Sequence, residues 1–159
     1  MLSPSRFTTT WPATRAGSIL LRLVDVAFVV LLVLVTFLCL RPSSFIIELP
    51  WFPRSVAEWS DGSRHLPHTV AFFVLAVTGF AARLPVRWFR PSLSATRSLI
   101  ANTAILLALA VALEIPQIWL DERTFSVLDI LAGWGGVIAA GGVWAALSRW
   151  RVRESESEE

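Results

Sequence analysis

The sequence predicts an all-α fold: a polytopic membrane protein with four transmembrane helices in a compact bundle. Three observations predict it. Of the 159 residues, 55% are hydrophobic and only 16% are charged, and the mean hydropathy is +0.63. A water-soluble domain of this length carries more charge and shorter apolar runs. Residues 18–40, 65–86, 98–120 and 126–147 each approach or exceed the roughly 20 mostly apolar residues that cross a bilayer. The arginines, finally, concentrate in alternate connections between these runs.

The spans divide the chain into an N-terminal segment (1–17), a four-helix membrane domain (18–147) and a charged tail (148–159). The first span follows Arg6 and Arg15 as a secretory signal would. Its apolar stretch is too long for that, however, and Arg41-Pro42 follows it without a small-residue cleavage site. It reads as an uncleaved helix. Cys39, the single cysteine, has no partner for a disulfide and serves as a small apolar residue near the helix end. The loop 43–64 holds Ile46, Ile47, Leu49, Trp51 and Phe52, apolar enough to lie on the membrane surface. Pro50 and Pro53 argue against one continuous helix there.

The second span opens at His65, Pro67 and His68. The third closes on Glu114, Pro116 and Gln117; the proline either kinks the helix or frees a carbonyl. In the fourth, Ser126 is placed as the N-cap, with Asp129 at N3 of a capping-box-like arrangement. Ala132, Gly136 and Ala140 recur every four residues, as do Gly135 and Ala139. Small residues at that spacing let membrane helices approach closely. The tail ESESEE reads as a solvated, disordered end.

Orientation follows from the positive charges. All 14 basic residues are arginine. Arg6, Arg15, Arg22, Arg83, Arg87, Arg90, Arg97, Arg149, Arg151 and Arg153 fall on one side, against Arg41, Arg54, Arg64 and Arg123 on the other. The positive-inside rule then puts both termini in the cytoplasm. Trp51, Trp59 and Trp119 would mark the outer boundary, and Trp11, Trp88 and Trp150 the inner one. Trp134 is expected to pack between helices. The net charge of +2 and pI of 9.9 do not indicate nucleic-acid binding, because the arginines flank spans instead of clustering on one surface.

This topology draws His68, Glu114, Gln117, Arg123 and Asp129 to the outer end of the bundle. Ionisable groups at the edge of apolar spans are costly, so they have a partner or a task. Glu114 and Gln117, three residues apart, share a helix face. Asp129 in the first turn of its helix is favoured by the helix dipole by about 0.3–1 kcal/mol. Arg123, in the turn between the last two spans, is placed to pair with either carboxylate. No metal site and no cofactor are expected. His65 and His68 straddle Pro67 near a helix start, so helical spacing supplies no second histidine, and the glycines match no nucleotide-binding fingerprint. A plain alternative is that one acid and one arginine simply hold a helical hairpin together.

These residues resemble the VanZ-like family of small bacterial integral membrane proteins. The resemblance covers roughly residues 64–140. It rests on Glu114 and Gln117 as an E-x-x-Q segment, followed by Arg123, Ser126, Asp129 and Gly136, and on His68 with Phe72 opening the second helix. The chain departs from the family at Arg64 and His65, where an Asp-Lys pair is frequent, and at Gly133, where an asparagine is usual. The family's name comes from a member associated with resistance to the glycopeptide teicoplanin. The resemblance implies a role in cell-envelope processes or glycopeptide response, without supplying a reaction.

The expected function is an outward-facing polar site that recognises or acts on an envelope component, such as the head group of a lipid-linked precursor. Glu114, Asp129 and His68 are the candidate catalytic groups, and Arg123 and Gln117 the candidate ligand-binding groups. The partners so implied are the lipid bilayer, a lipid-linked envelope precursor and a second copy of the chain. Two alternatives stand beside it: a non-catalytic scaffold or accessory subunit, and a small oligomeric transporter. Against transport, the inner halves of the second and fourth spans carry no ionisable group.

Overall fold

The computed structural model describes residues 15–40, 53–55, 58, 65–84, 86, 90, 92–120 and 124–157. Among these residues the long α-helices are α1 (Arg15–Leu40), α2 (Leu66–Ala82), α3 (Ala95–Glu114) and α4 (Val127–Ser157), with a 3-10 turn (Ile115–Trp119) closing α3. Among the described residues there is no strand. Three helices are long and apolar enough to cross a membrane, and α2 is a shorter apolar helix.

α2 stops four residues short of the expected boundary, and its local chemistry explains why. Leu84 precedes Pro85, which disfavours the helical conformation. Arg83 adopts the left-handed region at φ 57°. The Arg83 amide bonds to the Phe80 carbonyl at 3.2 Å and the Leu84 amide to the Gly79 carbonyl at 2.7 Å. That is the Schellman pattern, and fully buried Leu84 supplies its hydrophobic contact. At 17 residues the helix is about 25 Å long.

α3 begins three residues earlier than expected, because Ser94 is its cap: the Ser94 hydroxyl accepts from the Arg97 amide. Ser98, the expected start, is buried one turn inside. α4 runs on through the tail to Ser157, where composition suggested a disordered end. After Gly142 its sequence holds no glycine or proline, and arginine and glutamate are good helix formers.

α2 is the hub. It packs most extensively on α4, and also contacts α1 and α3. Its Phe72, Leu75, Ala76 and Phe80 form the core with Phe28 and Val35 of α1, Leu106 and Ala110 of α3, and Val137 and Ala140 of α4. The α2–α4 crossing is backbone-close. A Cβ on Gly136 would stand 2.2 Å from the Thr69 carbonyl oxygen, so only glycine permits this approach. Of the two small-residue rows, the one through Gly136 and Ala140 is buried here, while Gly135 and Ala139 are exposed. Trp134 reaches across to α3, donating to the Leu107 carbonyl at 3.0 Å.

The outward faces are as apolar as the core. Leu23, Val26, Val30, Val33 and Phe37 of α1, Ile100 of α3 and Leu131 and Ile138 of α4 are exposed. Contiguous apolar surface on this scale is alien to a soluble monomer and normal where lipid is the solvent. Together with the helix lengths, this is the pattern of a multi-pass membrane protein. Trp119 and Trp150 are exposed at opposite ends of the bundle, as interfacial anchors would be. Trp11, Trp51, Trp59 and Trp88 lie outside the described residues.

Candidate functional site

The start of α2, the end of α3 and the start of α4 meet at one end of the bundle. Arg83 and Arg97 lie at the far ends of α2 and α3, so the cluster sits opposite the arginine-bearing connection. Each element reaches this end for a local reason. Pro67 occupies the first turn of α2, where a missing amide hydrogen costs nothing. Pro116 lacks the amide that would bond the Ala112 carbonyl, so the α-helix gives way to the 3-10 turn after Glu114. In a 3-10 turn, residues three apart eclipse. Gln117 therefore stacks over Glu114, its amide donating to Glu114 Oε1 at 2.8 Å.

Ser126 caps α4 as expected, its hydroxyl accepting from the Asp129 amide at 3.3 Å. The reciprocal half of the capping box is different from the one the sequence suggests. The Ser126 amide donates to Glu114 Oε2 at 3.2 Å, so the acid that completes the cap comes from α3. Asp129 is thereby released to face α2.

There it meets both histidines. His65 Nδ1 lies 2.6 Å from Asp129 Oδ1, and His68 Nδ1 lies 3.6 Å from the same oxygen. The other ring nitrogen of His68 is 3.7 Å from Glu114 Oε1. The His68 imidazole thus stands between two carboxylates, one from each neighbouring helix. Glu114 is 2% exposed, while His68 and Asp129 are 16% and 17% exposed in their side chains; His65, at 39%, forms the open edge. Among the described residues, neither buried ring nitrogen of His68 has a hydrogen-bond partner. Of the three links in the row His65, Asp129, His68 and Glu114, only His65–Asp129 is at hydrogen-bond distance; the two to His68 are longer.

The structure therefore unites Glu114, Asp129, His68 and Gln117. Gln117 is buried and holds Glu114 instead of presenting its amide to a ligand. Arg123 lies outside the described residues. His65 is the residue that the sequence reasoning set aside. The ground was its separation from His68 by Pro67, and with it the reason for expecting no second histidine falls away. A proline in the first turn begins a helix without breaking it, so the three-residue spacing of the two histidines survives.

Comparison of the chain with protein-family models, with curated proteins and with solved structures found no match.

Proposed function

We propose that this chain is a VanZ-like protein of a bacterial inner membrane whose polar cluster, open to the cell exterior, engages the head group of an envelope component. The cluster lies at the end opposite Arg83 and Arg97, and the positive-inside rule makes that end extracytoplasmic, with both termini in the cytoplasm. In this reading Arg123 binds an anionic group, as a guanidinium suits phosphate or carboxylate. Glu114, Asp129 and His68 handle a proton on the bound head group, with His65 as the solvent-facing end of the row. The observation that carries the reading is the convergence of an imidazole and two carboxylates from three helices, with both nitrogens of His68 left without a hydrogen-bond partner among the described residues. A cluster serving packing alone would bond those nitrogens.

The test is a deletion strain scored for cell-wall antibiotic sensitivity and for lipid-linked intermediates, complemented with His68→Gln, Asp129→Asn and Arg123→Gln. Loss of complementation by all three variants at normal protein abundance is the expected result. Full complementation by the Asp129 and His68 variants would defeat the proposal.

A scaffold reading has one observation in its favour: both oxygens of Glu114 already accept bonds that tie α3 to its own turn and to α4. It predicts that variants lose abundance before they lose phenotype.

A further inference from the structure

We propose that His68, Glu114 and Asp129 form a binding site for one divalent transition-metal ion, zinc being the ion the donor set suits best. One donor atom from each of the three side chains lies within 4.8 Å of the others. The two imidazole–carboxylate separations, 3.7 and 3.6 Å, are too long for hydrogen bonds, which close at about 2.7–3.2 Å. Each is near the edge of a coordination polyhedron, in which ligands about 2.0–2.1 Å from a tetrahedral ion stand about 3.3–3.4 Å apart. The two separations use opposite ring nitrogens, so one nitrogen takes the ion and the carboxylate facing the other closes in on it. Side-chain rotations that draw donors now up to 4.8 Å apart closer by about 1 Å bring them onto the ion.

The charge argument points the same way. Among the described residues, the partners of Glu114 and Asp129 in ion pairs are His65 and His68 only. Two carboxylates and an imidazole too far from either to hydrogen-bond, in a shielded site, make an expensive arrangement in the absence of a further cation. A divalent ion neutralises both acids and takes a lone pair from His68. Imidazole nitrogen and carboxylate oxygen are both ordinary zinc ligands, whereas magnesium prefers all-oxygen octahedra.

The surrounding bonds have the form that metal sites use to fix their ligands. Gln117 and the Ser126 amide hold the two oxygens of Glu114. His65 holds Asp129 Oδ1 and acts as a positioning residue. Three protein ligands leave a fourth position on the His65 side, where a water or a head-group oxygen would bind. The site is shared with the proposed function, but the two ideas fail separately: metal binding is read on purified protein and the envelope phenotype in cells.

The full chain, purified in detergent without a polyhistidine tag and stripped with chelator, is titrated with Zn²⁺, Mn²⁺ and Mg²⁺ by equilibrium dialysis with elemental analysis. One Zn²⁺ per chain is expected, with weaker Mn²⁺ and no stoichiometric Mg²⁺ uptake. Affinity should fall at least about tenfold in His68→Gln and Glu114→Gln, and about tenfold in His65→Ala. Co²⁺ bound to the wild type should show the visible absorption of a four-coordinate site, a readout independent of any variant's folding. Absence of stoichiometric Zn²⁺ from the wild type would overturn the inference, as would uptake unchanged in folded His68 and Glu114 variants.

Discussion

A methyl group added at Gly136 would drive a carbon to 2.2 Å from the Thr69 carbonyl oxygen and 2.9 Å from the Phe73 amide nitrogen. A carbon–oxygen contact normally rests at about 3.3–3.6 Å, so α2 and α4 must part by about 1 Å. Both obstructing atoms are helix backbone and cannot rotate away. Overpacking of this kind costs about 1–3 kcal/mol, partly offset by the gain of up to about 1 kcal/mol when alanine replaces glycine in a helix. The expected net loss is about 1–2 kcal/mol on the most extensive helix pair in the bundle. Gly135 is the control. Nothing lies within 4 Å of its missing Cβ, so Gly135→Ala keeps the propensity gain and stabilises by up to about 1 kcal/mol. Reversible unfolding in mixed micelles, followed by circular dichroism, should separate the two variants by about 1–3 kcal/mol, the overpacking cost, since the propensity gain is common to both. Equal stabilities would refute the close α2–α4 crossing. Thr69 adjoins His68, so the Gly136 variant should also disturb the site.

Glu114→Ala would strand the Ser126 amide hydrogen and leave the buried Gln117 amide only its 3.4 Å bond to the Leu113 carbonyl. At about 1–3 kcal/mol per unsatisfied group, it should destabilise far more than Glu114→Gln in the same unfolding assay. Arg83→Gly would remove the left-handed strain at φ 57° and raise stability by about 1 kcal/mol, read as a higher thermal midpoint. A cysteine replacing Ser92, in a Cys39→Ser background, should resist impermeant maleimide applied to intact cells. One replacing Ser63 should react; labelling of the first and protection of the second would reverse the orientation.

The amphipathic logic of soluble helices has little purchase on this sequence, and burial was correspondingly hard to read from it. α1 is apolar around most of its circumference, so nothing in its pattern singled out Phe28 and Val35 as the residues that touch α2. The two four-residue rows of small residues in α4 are equivalent in sequence. Only the partner helix decides that Gly136 is enclosed and Gly135 is not. Helix existence was legible from apolar length, and boundaries were less so. Ser94 and Ser98 are both plausible caps, and the choice is made by which hydroxyl meets a free amide.

At the site, the polar residues themselves were visible because charges are conspicuous among apolar neighbours. Their pairings were not. The sequence suggested that Asp129 would complete the α4 cap, but Glu114 reaches across from α3 to do so. His65 was passed over because Pro67 resembles a break. Its place beside Asp129 follows from the tolerance of a first helical turn for proline.

If the His68–Glu114–Asp129 cluster is a working site and not a helix clamp, its role depends on the charge of Asp129. The most direct measurement is Asp129→Asn, which keeps the size of the side chain and removes its charge, assayed for membrane abundance and envelope phenotype in the same cells. The account predicts abundance close to wild type with the deletion phenotype in full. Wild-type phenotype at wild-type abundance would contradict it.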